Sequence, residues 1–335
     1  MVTIKDIAKE SGYSVSTVSR VLNNRRDVSP VAKQRIEEIV AKYNFVPNNN
    51  AKSLKQTVSE TIVILVKGTA NMLFADIVEE IQRMLEKTKY TSVVAYIDET
   101  DNEVQQAIQI CWERKPLGLL FLGGNPENFK QQFADVEVPS VLVTNSGESL
   151  GFENLASVCT DDIAAAECAI DYLIENGHQE IGIIGGSLEK SHTSRMRHEG
   201  CMKSFEKNNL HYEEDKAYAS ARFSFEGAYQ AMNELLDKNK KLTAVFAMSD
   251  VMAVGAIRAL KDRSLCVPED ISVIGFDGVA LAEYYNPKLA TIKQQYKQLA
   301  NRSVKILFNL LELGMPAVHE VIPFELAKGE SVHKI

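Results

Sequence analysis

From residue 61 the chain repeats one pattern, a short apolar run followed by an amphipathic stretch. Thr61–Val66 is rich in β-branched residues, and Phe74–Thr88 sets Ile77, Ile81, Met84 and Leu85 at helical spacing. Ser92–Ile97, Leu117–Leu122 and Val138–Thr144 read as further strands, with a helix around Glu103–Arg114. The theme restarts with a helix at Ile163–Glu175 and a strand at Glu180–Ile184. It continues through Met196–Lys207, Phe225–Asp237, Leu242–Met248, Val251–Lys261, Ile271–Phe276 and Tyr296–Leu313. Such uniformly apolar strands belong in parallel sheets covered by helices on both faces. This stretch is long for one sheet, so the expectation is an α/β body of two doubly wound parallel-sheet lobes that meet near residue 160.

Ligands of such sheets bind beyond the carboxyl ends of the strands. The polar residues there are Lys67–Asn71, Gly123–Asn125, Asn145, Thr160–Asp162, Gly185-Gly186, Ser249-Asp250 and Asp277, and a cleft between lobes would gather them. Asp250 opens a helix and reads as its N-cap. Enzyme signatures are missing from these positions. Gly182–Gly186 (GIIGG) is neither a dinucleotide fingerprint nor a P-loop, and no GxSxG or HExxH occurs. The six histidines (178, 192, 198, 211, 319, 333) are dispersed, and Asp161-Asp162 are adjacent, so their side chains diverge. The five cysteines (111, 159, 168, 201, 266) are odd in number and form no CxxC. Neither catalysis, a metal nor a cofactor is expected.

The first 45 residues are organised differently. A helix starting at Thr3 has Ile4, Ile7 and Ala8 on one face and stops at Gly12. A second, with Ser14 as its N-cap, has Val18, Val21 and Leu22 on its inner face. A third opens on Ser29-Pro30 and buries Ile36, Ile39, Val40 and Tyr43. Two short helices joined by about three residues match a helix-turn-helix. The second turns Val15, Ser16, Thr17 and Arg20 outward. Arg can bond guanine O6 and N7 in the major groove, and Ser and Thr can also bond phosphates. A three-helix bundle with a solvated polar face is the alternative.

Charge follows the same division. Net charge is −8, yet residues 1–60 hold ten Lys/Arg against six Asp/Glu, leaving 27 against 39 in the remainder. A basic head on an acidic body suggests two partners. The longest apolar runs, such as Ile62–Val66 and Leu119–Leu122, fall far short of the ~18 residues that span a bilayer. Met1–Glu10 has no signal-peptide core, so a cytoplasmic protein without membrane contact is expected.

The wording of the head is more specific than its spacing. TIKDIAKESGYSVSTVSRVLN (3–23), VSPVAKQRIEEI (28–39) and YNFVPNNNAKSLK (43–55) closely resemble the DNA-binding head of the lactose-repressor/purine-repressor (LacI/GalR) family. Tyr13 departs from the usual aliphatic residue of the turn. In the body, GHQEIGIIGG (177–186), Arg197 to Gly200, AMSDVMAVGAIRAL (247–260) and VPEDISVIGFDGV (267–279) resemble the sugar-binding-like core of the same family, related in fold to periplasmic binding proteins. TDD (160–162) is a weaker match. The resemblance runs from Thr3 to about Glu325.

The resemblance implies a regulator of transcription, most simply a repressor. The candidate DNA-contacting residues are Thr3, Ser14, Val15, Ser16, Thr17, Ser19, Arg20 and Asn23, with Lys52, Leu54 and Lys55 in a hinge. In the family the hinge helix orders when two copies meet on DNA, with Leu54 as a wedge in the minor groove and the lysines near phosphates. Read without the family, that segment is a polar linker. For the body the resemblance implies an effector held by Arg197 and Asp277, with Phe74 and Phe223 presenting aromatic faces. Asn145, Thr193 and Ser249 are further polar candidates. Core packing is the plain alternative for the two phenylalanines, and a turn cap for Asp277. Asn71-Met72-Leu73-Phe74 lacks the family's usual Pro and first aromatic, and Asn145 replaces a commonly acidic residue.

The expected organisation is a helix-turn-helix head (1–46), a hinge (47–59) and an effector-binding and dimerisation body (60–335). One lobe would take about 60–160 and 291–320, the other about 161–290 and 321–335. The expected partners are a near-palindromic operator in double-stranded DNA, a second copy of the chain and a small effector. A sugar or sugar phosphate is the first choice of effector and a nucleobase-type corepressor the second. A sugar receptor without DNA function is the competing class. The C-terminal LAKGESVHKI has no leucine heptads, so a homodimer is the default.

Overall fold

The computed structural model describes residues 4–22, 28–43, 60–69 and 71–335. The chain forms two compact units, residues 1–59 and residues 60–335. In the first, helices α1 (Ile4–Ser11), α2 (Val15–Leu22) and α3 (Pro30–Lys42) enclose a small core of Ile7, Ala8, Val18, Val21, Ile36 and Ile39. Ser14 Oγ accepts from the Thr17 amide at 3.1 Å and Ser29 Oγ from the Ala32 amide at 3.3 Å, so a hydroxyl caps both α2 and α3. Tyr13 packs on this core. Tyr43, expected on the buried face, is exposed instead, with Lys42 Nζ 5.0 Å from its ring centre. It lies past the last turn of α3, where the helical spacing no longer sets its direction.

In the second unit, β1 (Thr61–Lys67), α4 (Met72–Leu85), β2 (Thr91–Ile97), α5 (Glu103–Arg114), β3 (Gly118–Leu122), α6 (Pro126–Gln132), β4 (Ser140–Val143) and β5 (Leu155–Thr160) build the first lobe. Next come α7 (Asp162–Glu175), β6 (Ile181–Gly185), α8 (His192–Lys207), α9 (Glu214–Ala217), β7 (Tyr218–Ser220), α10 (Phe225–Lys238), β8 (Ala244–Ala247), α11 (Asp250–Asp262), β9 (Ser272–Asp277), α12 (Ala280–Tyr284) and β10 (Ala290–Lys293). The chain then returns to the first lobe with α13 (Tyr296–Leu313) and β11 (His319–Ile322), and ends in the second with β12 (Glu325–Ala327). The first sheet has the order β11-β5-β4-β3-β1-β2 and is all parallel. The second has the order β12-β10-β9-β8-β6-β7, antiparallel only at β12.

Burial on both faces explains the apolar strands. In β1, Ile62, Ile64 and Val66 pack with Ile77, Ile81 and Leu307 on one side of the sheet. Val63 and Leu65 pack with Val104, Ala107 and Phe129 on the other. At roughly 1.5–3 kcal/mol per fully buried aliphatic side chain, such strands stay in place only while both helix layers cover them.

Three crossings join the lobes, at Asp161, at Gln294-Gln295 and at Pro323-Phe324. The last two fall three or four residues later than the boundaries expected from sequence. Strands β5, β7, β10, β11 and β12, three to six residues long, are not marked by the sequence pattern. Several lie at or near sheet edges and mix polar with apolar residues, so periodicity barely registers in them. Among the described residues no helix is long and apolar enough to cross a membrane.

Candidate functional site

A cavity of about 520 Å³ opens where the carboxyl ends of the two sheets face each other. The first lobe contributes Lys67, Phe74, Glu99, Gly123 to Asn125, Asn128 and Thr144. The second contributes Gly186, Ser191, Thr193, Arg197, Arg222, Phe223 and Asp277, and the crossing contributes Gln294.

Arg197 and Asp277 form its floor. Arg197, on α8, is buried, donates from Nε to Asp162 Oδ1 at 2.8 Å and from Nη1 to the Met248 carbonyl, and lies 3.5 Å over the Phe276 ring. Its partner Asp162 opens α7, directly after the first crossing. Burial pushes the Asp162 carboxyl up and the guanidinium opposes this. Asp277 ends β9 with φ 116°, a left-handed backbone that a non-glycine residue rarely adopts. Gln294 Nε2 donates to Asp277 Oδ1 at 2.9 Å, and Thr160 Oγ1 donates to Gln294 Oε1 at 2.9 Å. A continuous chain of hydrogen bonds thus runs from the floor to residues at two crossings.

Burial pushes the Asp277 carboxyl up to about 7, against the pull of Arg197 and the Gln294 hydrogen bond. In the unfolded chain it titrates near 4. Between these values the folded protein holds the extra proton, so this contribution to stability is full below the window and lost as pH rises through it. Asp277→Asn cannot ionise. Thermal melts at about pH 5 and pH 8 are expected to show the variant losing less stability than wild type across the interval. An unaltered slope would assign the pH dependence to other groups.

Asp250 lies behind Asp277, accepting from Thr291 Oγ1 at 2.6 Å and from the Val279 amide at 2.9 Å. Burial, then the nearby Asp277 charge, holds its carboxyl well above the usual range. From sequence alone Asp250 is expected as the cap of α11 and Ser249 as a ligand contact. The structure reverses part of this. Ser249 Oγ accepts from the Met252 amide at 3.2 Å, so Ser249 is the cap, buried and outside the cavity wall. The rise in polarity at 249–250 is visible in sequence, but which of two adjacent residues caps depends on backbone direction.

Asn145 is buried and also stands behind the wall. Its Nδ2 donates to the Gly124 carbonyl at 2.8 Å, and its Oδ1 accepts from Thr193 Oγ1 at 3.2 Å, tying the two lobes. Thr193 lines the cavity, as do both phenylalanines. Each ring lies against a strand-end glycine. A Cβ at Gly123 would stand 3.1 Å from the Phe74 ring, and one at Gly186 would stand 2.8 Å from the Phe223 ring. Phe74 also packs into the first lobe's core, so core packing and cavity lining coexist there.

Two ionic groups escaped the sequence reading. Glu103 is fully buried and accepts from Lys67 Nζ at 2.5 Å, from the Asn125 amide at 2.6 Å and from Asn128 Nδ2 at 3.1 Å. Across the cavity mouth, Arg222 of the second lobe pairs with Asp98 at 2.6 Å and Glu99 at 2.8 Å of the first. Asn125 Nδ2 adds a link to the Lys190 carbonyl at 3.3 Å.

In the first unit, Val15, Ser16 and Arg20 of α2 are exposed, while Thr17 and Ser19 are half-buried. Ser14 Oγ is also 2.7 Å from Ser16 Oγ and 2.9 Å from Thr17 Oγ1, so these hydroxyls form one local network. Thr3, Asn23, Lys52, Leu54 and Lys55 lie outside the described residues.

Residues 3–48 match the family described as bacterial regulatory proteins, lacI family, and residues 170–332 match a periplasmic binding protein-like domain. The chain is 37% identical to the HTH-type transcriptional regulator MalR of Clostridium butyricum, over 99% of both chains. Among solved structures it is similar to the transcriptional regulator CelR-cellobiose complex, with TM-score 0.72, 25% identity and coverage of 99% of this chain and 100% of that one. It is also similar to the lac repressor dimer bound to operator and the anti-inducer ONPF, with TM-score 0.71, 25% identity and 99% coverage of both.

Proposed function

This chain belongs to the lacI family of bacterial regulatory proteins and is a DNA-binding transcription regulator, and from that premise we propose that a small sugar in the body's cavity sets its affinity for operator DNA. The observation that carries this is the wiring of the floor. A ligand on Arg197 and Asp277 meets side chains whose next partners, Asp162, Gln294 and Thr160, stand at the lobe crossings. Occupancy therefore biases the angle between lobes, and an effector that prefers one arrangement shifts the equilibrium toward it. Sugar hydroxyls suit this floor, since a carboxylate accepts two donors and a guanidinium donates to ring or hydroxyl oxygens.

Two copies of the chain would place two α2 helices in successive major grooves of a near-palindrome, with Val15, Ser16 and Arg20 toward the bases. Such work belongs in the cytoplasm and needs no catalysis. The decisive experiment is a gel shift on the gene's own upstream DNA with and without candidate sugars. No shift on that DNA, or a shift that no sugar moves, would sink the proposal.

The hinge role of Leu54 rests on the family resemblance. Leu54→Ala is expected to lower operator affinity and reduce DNA bending, measured by circular-permutation gel mobility, while effector binding is unchanged. Bending equal to that of wild type would remove the wedge.

A further inference from the structure

We propose that Arg222, with Asp98 and Glu99, is a latch that holds the two lobes closed across the cavity mouth before any ligand arrives. The sheet orders explain why this position matters. All three crossings leave from β5, β10 or β11, on one side of the two sheets. Asp98 and Glu99 directly follow β2, Arg222 lies two residues past β7, and these two strands are the opposite edges. Three strands separate β2 from β5, and three separate β7 from β10. At about 4.8 Å per strand spacing, the latch stands about 19 Å from the crossings. An opening of about 10° around them would part its charges by about 3 Å and leave the Gln294 hydrogen bonds almost unmoved.

Both halves of the latch are held in place locally. Asp98 Oδ1 accepts from the Thr100 amide at 3.0 Å and from Thr100 Oγ1 at 2.7 Å, and the Asp98 amide donates to Asp101 Oδ2 at 3.1 Å. This turn leaves Asp98 Oδ2 to Arg222 Nη2 at 2.6 Å, while Arg222 Nε meets Glu99 Oε1 at 2.8 Å. In the second lobe, the Ala221 amide donates to the Gly185 carbonyl at 2.8 Å, which fixes the residue before Arg222 to β6. Arg222 holds the Asp98 carboxyl down to about 2, so that pair is ionised through the neutral range. Among the described residues these are the only ion pairs between the lobes. The links from Asn125 to Lys190 and from Thr193 to Asn145 are neutral hydrogen bonds, and they leave the first lobe after β3 and β4, nearer the crossings. An isolated exposed ion pair is worth little, but here one guanidinium serves two carboxylates where opening moves the lobes furthest. Phe223 follows Arg222, so an opened mouth also draws that ring out of the cavity. A ligand that fits the closed body gains from the latch, and it enters only after the pairs break, whatever its chemistry.

The test is hydrogen exchange, read by mass spectrometry, on the ligand-free full chain. Segments 123–128 and 187–193 carry the neutral inter-lobe links and contain none of the latch residues. In Arg222→Gln at low salt, both are expected to exchange about threefold faster than in wild type, with α11 unchanged. Raising NaCl from about 50 to about 500 mM should speed wild type toward the variant and leave the variant where it is, because salt screens exposed charges. Asp98→Asn/Glu99→Gln removes the charges on the other side and keeps the Oδ1 acceptor of the turn. It should match Arg222→Gln, and combining the two sets should add nothing further. Equal exchange in wild type and Arg222→Gln at low salt overturns the latch, as do effects of the two sets that simply add. Should Arg222→Gln not fold, the comparison of Asp98→Asn/Glu99→Gln with wild type decides alone.

Discussion

Arg197→Ala is expected to abolish the effector's control of operator binding and to lower the stability of the body by about 3–5 kcal/mol, the usual cost of leaving a buried carboxylate without its cation. The stranded group is Asp162, and the Phe276 ring loses the guanidinium stacked on it. Lost response in a destabilised protein would be ambiguous by itself. Arg197→Met combined with Asp162→Asn removes both charges, so its melting temperature should return toward wild type. Gel shifts with and without effector should still show no response. A double variant that folds and responds normally would mean that the ligand does not act through this floor.

Arg20→Ala is expected to weaken operator binding by about 1–3 kcal/mol and to relax preference at one base pair per half-site. Arg20 is exposed on α2, four residues from Ser16 and on the same face. Competition binding against operators mutated one position at a time reads both effects. If affinity for random DNA falls as much as affinity for the operator, Arg20 contacts phosphate rather than a base. Ser16→Ala should cost less, because the Ser16 hydroxyl already has a protein partner in Ser14.

Much of this architecture was readable from the chain alone, because its main determinants are local. The Ser14 and Ser29 caps act on residues three positions away. The fully apolar β1 announces a sheet covered on both faces. Arg197 and Asp277 came from motif resemblance, and the structure places both on one cavity wall. The rest depends on contacts between distant segments. Lys67 and Glu103 are 36 residues apart, and Arg222 and Asp98 are 124 apart. Such partners become neighbours only when helices cover a sheet or two lobes close, and neither residue carries a local signal of the other. Gln294 is a similar case. It looks like an ordinary polar residue before a helix until the second crossing places it between Thr160 and Asp277.

The threading of the body sets how genes of this kind can be recombined. Each lobe is assembled from separate stretches of chain, since α13 and β11 return to the first sheet and β12 ends on the second. No single cut in the coding sequence yields one whole lobe, so exchanging one lobe with a relative requires matched splices at all three crossings. The helix-turn-helix unit, by contrast, occupies one uninterrupted stretch. One splice suffices to give the same effector cavity a new operator, so DNA address can drift by shuffling while ligand preference must change residue by residue.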